Sequence, residues 1–127
     1  MHSFRKLQVY CTAKNLVKEV YLLIDTFPTT ERYALSDQLR RSVISVPSNI
    51  AEGLGRSTDK DRGHFMQIAY GSLIEVLAQL DLAHDIGFIS TTEFERLEKI
   101  IEEESKLLNG MINKFKQSSQ QAEHCRI

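Results

Sequence analysis

The chain has 127 residues, 42% of them hydrophobic and 26% charged, and a formal net charge of −1. That length suits one domain with its own core and is short for two. A balance this close to neutral excludes a general electrostatic pull toward nucleic acid or an anionic membrane. No stretch approaches the roughly 18 apolar residues of a membrane span. The opening Met1-His2-Ser3-Phe4-Arg5-Lys6 is followed by no apolar run, so no signal peptide is expected and the predicted location is the cytoplasm.

The first predicted helix runs from about Phe4 to Thr26, with Ala13, Val17, Val20, Ile24 and Phe27 at the 4-3 spacing of a packed stripe. Pro28 ends it, because proline lacks an amide and disfavours helix in the residue before it. Cys11 falls in the same segment and reads as a small buried hydrophobe. Cys125 reads as a free tail thiol, and two cysteines so placed build neither a disulfide framework nor a metal site.

The second helix is predicted from about Glu31 to Glu52. Thr29 or Thr30 would cap it, and Leu35, Leu39, Val43, Val46 and Ile50 form its apolar stripe. Pro47 lies inside. The stripe keeps its phase through Ile50, which favours a helix kinked at Pro47 over a break at Val46. Gly53 and Gly55 then read as the turn.

Thr58 with Asp61 resembles a capping box and opens a third helix reaching Ile86. Its stripe is Phe65, Ile68, Ala69, Ser72, Val76, Leu80 and Ala83. Gly87 ends it. Ser90 and Glu93 open a fourth helix with Phe94, Leu97, Ile101, Leu108, Met111 and Phe115 inward. Residues 117–127 are polar and aperiodic, so they read as a disordered tail behind a bundle of residues 1–116. Strand signals are lacking, and short links between long helices predict an all-α, up-down-up-down four-helix bundle.

Charge is unevenly spread. Residues 1–57 hold eight Lys/Arg against five Asp/Glu, residues 58–87 two against five, and residues 88–127 six against seven. If the second hairpin turns near Ser57, Glu75 falls opposite Leu39 and Arg40 and within reach of Arg41. Ser72 then faces Ser42, Ala69 faces Ser45, Phe65 faces Asn49, and Arg62 faces Glu52. The expected seam between helices 2 and 3 therefore comprises Arg40, Arg41, Ser42, Ser45, Asn49, Glu52, Gly71, Ser72 and Glu75. Cross-helix ion pairs are expected from Arg40 or Arg41 to Glu75 and from Arg62 to Glu52. Gly71 costs about 1 kcal/mol of helix propensity relative to alanine, which suggests a close neighbour there.

Catalytic and metal motifs find no support. Asp61-x-x-His64 and Asp81-x-x-His84 sit about 30 Å apart along one helix, whereas a di-iron bundle takes its ligands from four. Gly53-x-Gly55 lacks the lysine, small hydroxyl residue and preceding strand of a phosphate loop. No cofactor is implied. Arg40 and Arg41, with Arg56, Lys60 and Arg62, are the candidate nucleic-acid contacts, and phosphate binding through them would be salt-dependent. Tyr10, Tyr21, Tyr33, Phe65, Tyr70 and Phe88 have mostly core-like spacing and form no base-stacking platform.

Several segments carry a family resemblance: Phe4-Arg5-Lys6-Leu7, Gln38-Leu39-Arg40-Arg41-Ser42, Ser48-Asn49-Ile50-Ala51-Glu52-Gly53 and Gly71-Ser72-Leu73-x-Glu75. In this order over about residues 4–115, the sequence resembles the bacterial four-helix bundle proteins. These include proteins encoded in intervening sequences of 23S rRNA genes and are related to the accessory variability protein of diversity-generating retroelements. The resemblance implies a left-handed up-and-down bundle, assembly as a ring-like homopentamer and no enzymatic activity. It also implies an RNA- or nucleoprotein-associated accessory role, the alternative being a protein-interaction scaffold. The retroelement relative is basic, whereas this chain is near neutral.

Overall fold

The computed structural model describes residues 3–31 and 34–125, with side chains described for 3–30 and 34–122. Four helices follow in order: α1 (Gln8–Ile24), α2 (Leu35–Leu54), α3 (Asp59–Asp85) and α4 (Thr91–Cys125). Short 3₁₀ turns cover Ser3–Lys6 and Thr29–Glu31, and no strand occurs among the described residues. No helix among them is long and apolar enough to cross a membrane. α1 packs against α2 and α4, and α3 against the same two helices, so α1 and α3 lie diagonally.

The ends follow local chemistry. The Thr58 hydroxyl accepts from the Asp61 amide, and the Ser90 hydroxyl accepts from the Glu93 amide, so both predicted boxes cap their helices. Gly87 adopts φ +88°, with its amide bonded to the His84 carbonyl and the Phe88 amide to the Ala83 carbonyl. This left-handed cap closes α3 and turns Phe88 onto Phe27, ring centroids 5.4 Å apart. α2 departs from expectation at its start. Thr29 and Thr30 belong to a 3₁₀ turn, Arg32 and Tyr33 lie outside the described residues, and the N-cap position is Ala34, without a side-chain cap. α2 runs unbroken through Pro47 to Leu54.

One core fills the bundle. Leu16, Val20, Leu39, Val43, Ile50, Met66, Leu73, Leu80, Leu97 and Leu108 are among its fully buried side chains. Each large apolar side chain so buried contributes about 1.5–3 kcal/mol. The α1 stripe is Val9, Ala13, Leu16 and Val20. Cys11 sits half a turn away from that stripe and is exposed, contrary to the expected burial. Its thiol donates to the Arg5 carbonyl. Ile68, assigned to the α3 stripe, is also exposed, because Met66, Ala69, Leu73, Val76 and Leu80 define the inner face.

α4 continues to Cys125, so residues 117–125 are helical where polar composition predicts an irregular tail. No glycine or proline interrupts the chain after Gly110. A helix already nucleated by the packed portion propagates into such a segment at little cost. Residues 126–127 lie outside the described set.

Candidate functional site

The predicted seam exists, in a shifted register. The Ser42 hydroxyl lies 2.6 Å from Gln79 Oε1 and donates to it, and the Ser45 and Ser72 hydroxyls share a 2.8 Å hydrogen bond. Asn49 Nδ2 donates to the Ser45 carbonyl and hydroxyl at 2.8 and 2.9 Å. Gln79 Nε2 reaches Glu75 Oε1 at 3.3 Å. Moving up α2 from Ser42 to Ser45 moves down α3 from Gln79 to Ser72, so the two helices run antiparallel.

Gly53 fits the same register, which differs from one centred on the turn. It lies within α2, buried, and an added Cβ would sit 2.6 Å from Phe65 Cβ and 3.2 Å from the Arg62 carbonyl oxygen. The two helices pack closely where α2 has no side chain. The glycine expected to fill this role does not. Gly71 is exposed, and a Cβ there would meet nothing within 4 Å.

The expected cross-helix ion pairs are replaced by pairs along each helix. Arg40 bonds Asp37 at 3.0 Å, Arg56 bonds Glu52 at 2.6 Å, and Arg62 bonds Asp59 at 2.6 Å. The shifted register takes Arg62 away from Glu52, and carboxylates one turn away satisfy each guanidinium first. Arg40 also lies over the Tyr21 ring and Arg56 over the Phe65 ring, at 6.0 and 4.7 Å. Arg41 and Lys60 are exposed, with no ion pair among the described residues. The candidate nucleic-acid residues are thus dispersed, and three of the five are neutralised.

Two residues escaped sequence reasoning. Gln79 is buried and completes the seam. Glu104 lies in the core of α4, fully buried, with neither carboxylate oxygen hydrogen-bonded. Burial, and secondarily the negative charge of Glu103, push its carboxyl up to about 9. It is therefore a neutral acid at neutral pH. A signal was present: the apolar spacing of α4 skips from Ile101 to Leu108, and the missing inward position is Glu104.

Elsewhere the chemistry is sparse. Among the described residues no group of three or more His, Cys, Asp and Glu side chains is placed to hold a metal ion. An open groove of about 500 Å³ at the end of the bundle is lined by Leu7, Leu54, Met111 and Phe115, with the Asp59–Arg62 pair at its edge.

Fold and seam define a small helical bundle whose polar residues chiefly join its own helices. The model of the family described as 23S rRNA-intervening sequence protein matches residues 5–110, and the chain belongs to that family. A crystal structure from Bacteroides thetaiotaomicron, titled as a protein with unknown function from the S23 ribosomal protein family, shares the fold. Its TM-score is 0.77 at 22% identity, over 82% of this chain and 97% of that one. No curated protein matches the sequence.

Proposed function

We propose that this chain is a non-enzymatic, self-assembling bundle of the cytoplasm that acts as an accessory protein of a nucleoprotein. Its assembled form is the homopentamer that the family resemblance implies. The observation that carries self-assembly is the outer side of α3. The inner side of this helix is lined by Met66, Ala69, Leu73, Val76, Leu80 and Ala83, all fully buried, yet Ile68, Ile74, Leu82 and Ile86 stand in solvent. A helix apolar on both sides belongs in the interior of something larger than one bundle. α4, by contrast, exposes no large hydrophobic residue among the described ones.

Arg41 and Lys60, the two of the five candidate residues without a carboxylate partner among the described residues, are the best-placed phosphate contacts on this reading. The engagement of Arg40, Arg56 and Arg62 with nearby carboxylates favours a second reading, a protein-interaction scaffold that does not touch nucleic acid. Light scattering coupled to size-exclusion chromatography, with absorbance at 260 and 280 nm, tests both. A five-subunit mass with salt-removable nucleic acid supports the first reading. The same mass with clean protein absorbance, and no salt-sensitive shift of a labelled RNA, leaves the scaffold. A monomer at micromolar concentration removes self-assembly altogether.

A further inference from the structure

The outer side of α3 needs a partner, and the opposite side of the bundle has the matching chemistry. On α3, Asp81 and Asp85 stand one turn apart beside Leu82 and Ile86, which are 55% and 56% exposed. Neither aspartate has an ion-pair partner among the described residues. On α1, Lys14 and Lys18 likewise stand one turn apart, exposed and without a carboxylate partner among the described residues, and are followed by Tyr21 and by Leu22, which is 66% exposed. The Arg40 guanidinium over the Tyr21 ring joins this face to α2, where Arg41 and Ile44 are exposed. Two exposed apolar patches thus carry opposite charges, with the charges at the same one-turn spacing.

We propose that the lysine-bearing face of α1 and α2 is the docking surface for the aspartate-bearing face of α3 from a second copy. The inference rests on the self-assembly proposed above and names its two surfaces. α1 and α3 are diagonal in the bundle, so each copy presents both faces at once, on different sides. The contact is therefore head to tail, and it leaves both faces covered only when the chain of copies closes into a ring. An α3-to-α3 contact would leave Lys14, Lys18, Leu22 and Ile44 uncovered. Gly71 lies exposed on α3 with nothing of its own chain within 4 Å of an added Cβ, so a second copy can approach the backbone there. Like charges across the contact would repel, so orientation is set by electrostatics while the apolar residues supply burial.

The test is analytical ultracentrifugation of four full-length proteins: the wild type, Lys14→Glu/Lys18→Glu, Asp81→Lys/Asp85→Lys, and the quadruple charge swap. All four changed residues are exposed, and helical circular dichroism checks that each variant folds. The wild type assembles, and each double variant dissociates at least tenfold more readily. The quadruple variant regains assembly, because opposite charges again face one another. Double variants that assemble like the wild type, or a quadruple no better than the doubles, would overturn the head-to-tail contact while leaving self-assembly intact. Loss confined to the aspartate variant would reassign the contact to α3 against α3. A lysine variant that keeps its mass but loses bound RNA would reassign that face to nucleic acid. A monomeric wild type would defeat the self-assembly reading itself.

Discussion

Gly53 and Phe65 touch so closely that a single methyl group on Gly53 would lie 2.6 Å from the Phe65 Cβ. Phe65 Cβ is fixed to the α3 backbone and cannot swing aside. This pair and the serine seam hold α3 against α2 in one register.

Gly53→Ala should therefore destabilise the fold although alanine is the better helix former. Propensity would contribute about 1 kcal/mol in favour, and overpacking against Phe65 and the Arg62 carbonyl costs about 1–3 kcal/mol. A lower urea midpoint is expected. The control is Gly71→Ala, where the new methyl meets open space within the chain. That variant should gain up to about 1 kcal/mol when dissociated and assemble less well.

Glu104 makes stability depend on pH in a defined direction. Its ordinary value is 4.5 and its folded value is about 9. Below 4.5 the group is neutral in both states and costs nothing by ionisation. As pH rises, the unfolded chain ionises and the folded chain does not, so stability falls by about 1.4 kcal/mol per unit at most. The loss continues through neutral pH and levels off above about 9. Urea melts at pH 5, 7 and 9 should show this decline, and Glu104→Leu should flatten its share of it. At pH 7 Glu104→Leu should raise stability by about 2–3 kcal/mol. A wild-type curve with the same slope as the Leu variant would mean that Glu104 is ionised or solvated in the fold.

The seam is testable by a double-mutant cycle. Ser42→Ala strands the buried Gln79 Oε1, at a cost of about 1–3 kcal/mol. Gln79→Leu should cost less, because the Ser42 hydroxyl still has the Gln38 carbonyl at 3.0 Å. Together the two changes should cost clearly less than their sum. Strict additivity would show that the 2.6 Å hydrogen bond contributes no coupling.

Nucleic-acid contact should have a low ceiling. With Arg41 and Lys60 as the free candidate cations, each single strand bound per chain should show a log–log salt slope of no more than about 1.4. Filter binding of a labelled RNA measures it. Arg41→Ala/Lys60→Ala should abolish the salt-sensitive part, while Arg56→Ala, which removes a guanidinium already bonded to Glu52, should change it little.

Much of the fold was legible because the forces that start and stop helices are local. Thr58, Ser90 and Gly87 act on backbone groups within a few residues of themselves, and each does what its side chain, or its lack of one, predicts. Periodicity likewise placed Leu39, Val43, Val46 and Ile50 inward. The seam was legible as composition, through Ser42, Ser45, Asn49 and Ser72, but its pairing was not. Gln79 went unread because nothing local marks a glutamine as buried.

What the sequence by itself determined, then, is a set of four helices with inward apolar stripes, the caps of α3 and α4, the family and the polar character of one seam. Tertiary structure alone decided the register of α2 on α3, the burial of Glu104, the idle space over Gly71 and the local pairing of Arg40, Arg56 and Arg62. The reason is physical. Caps and stripes depend on residues one turn apart, whereas register depends on the closest approach of two rigid helices. That approach is a sum over side-chain volumes distant in the chain, to which the missing side chain at Gly53 contributes here.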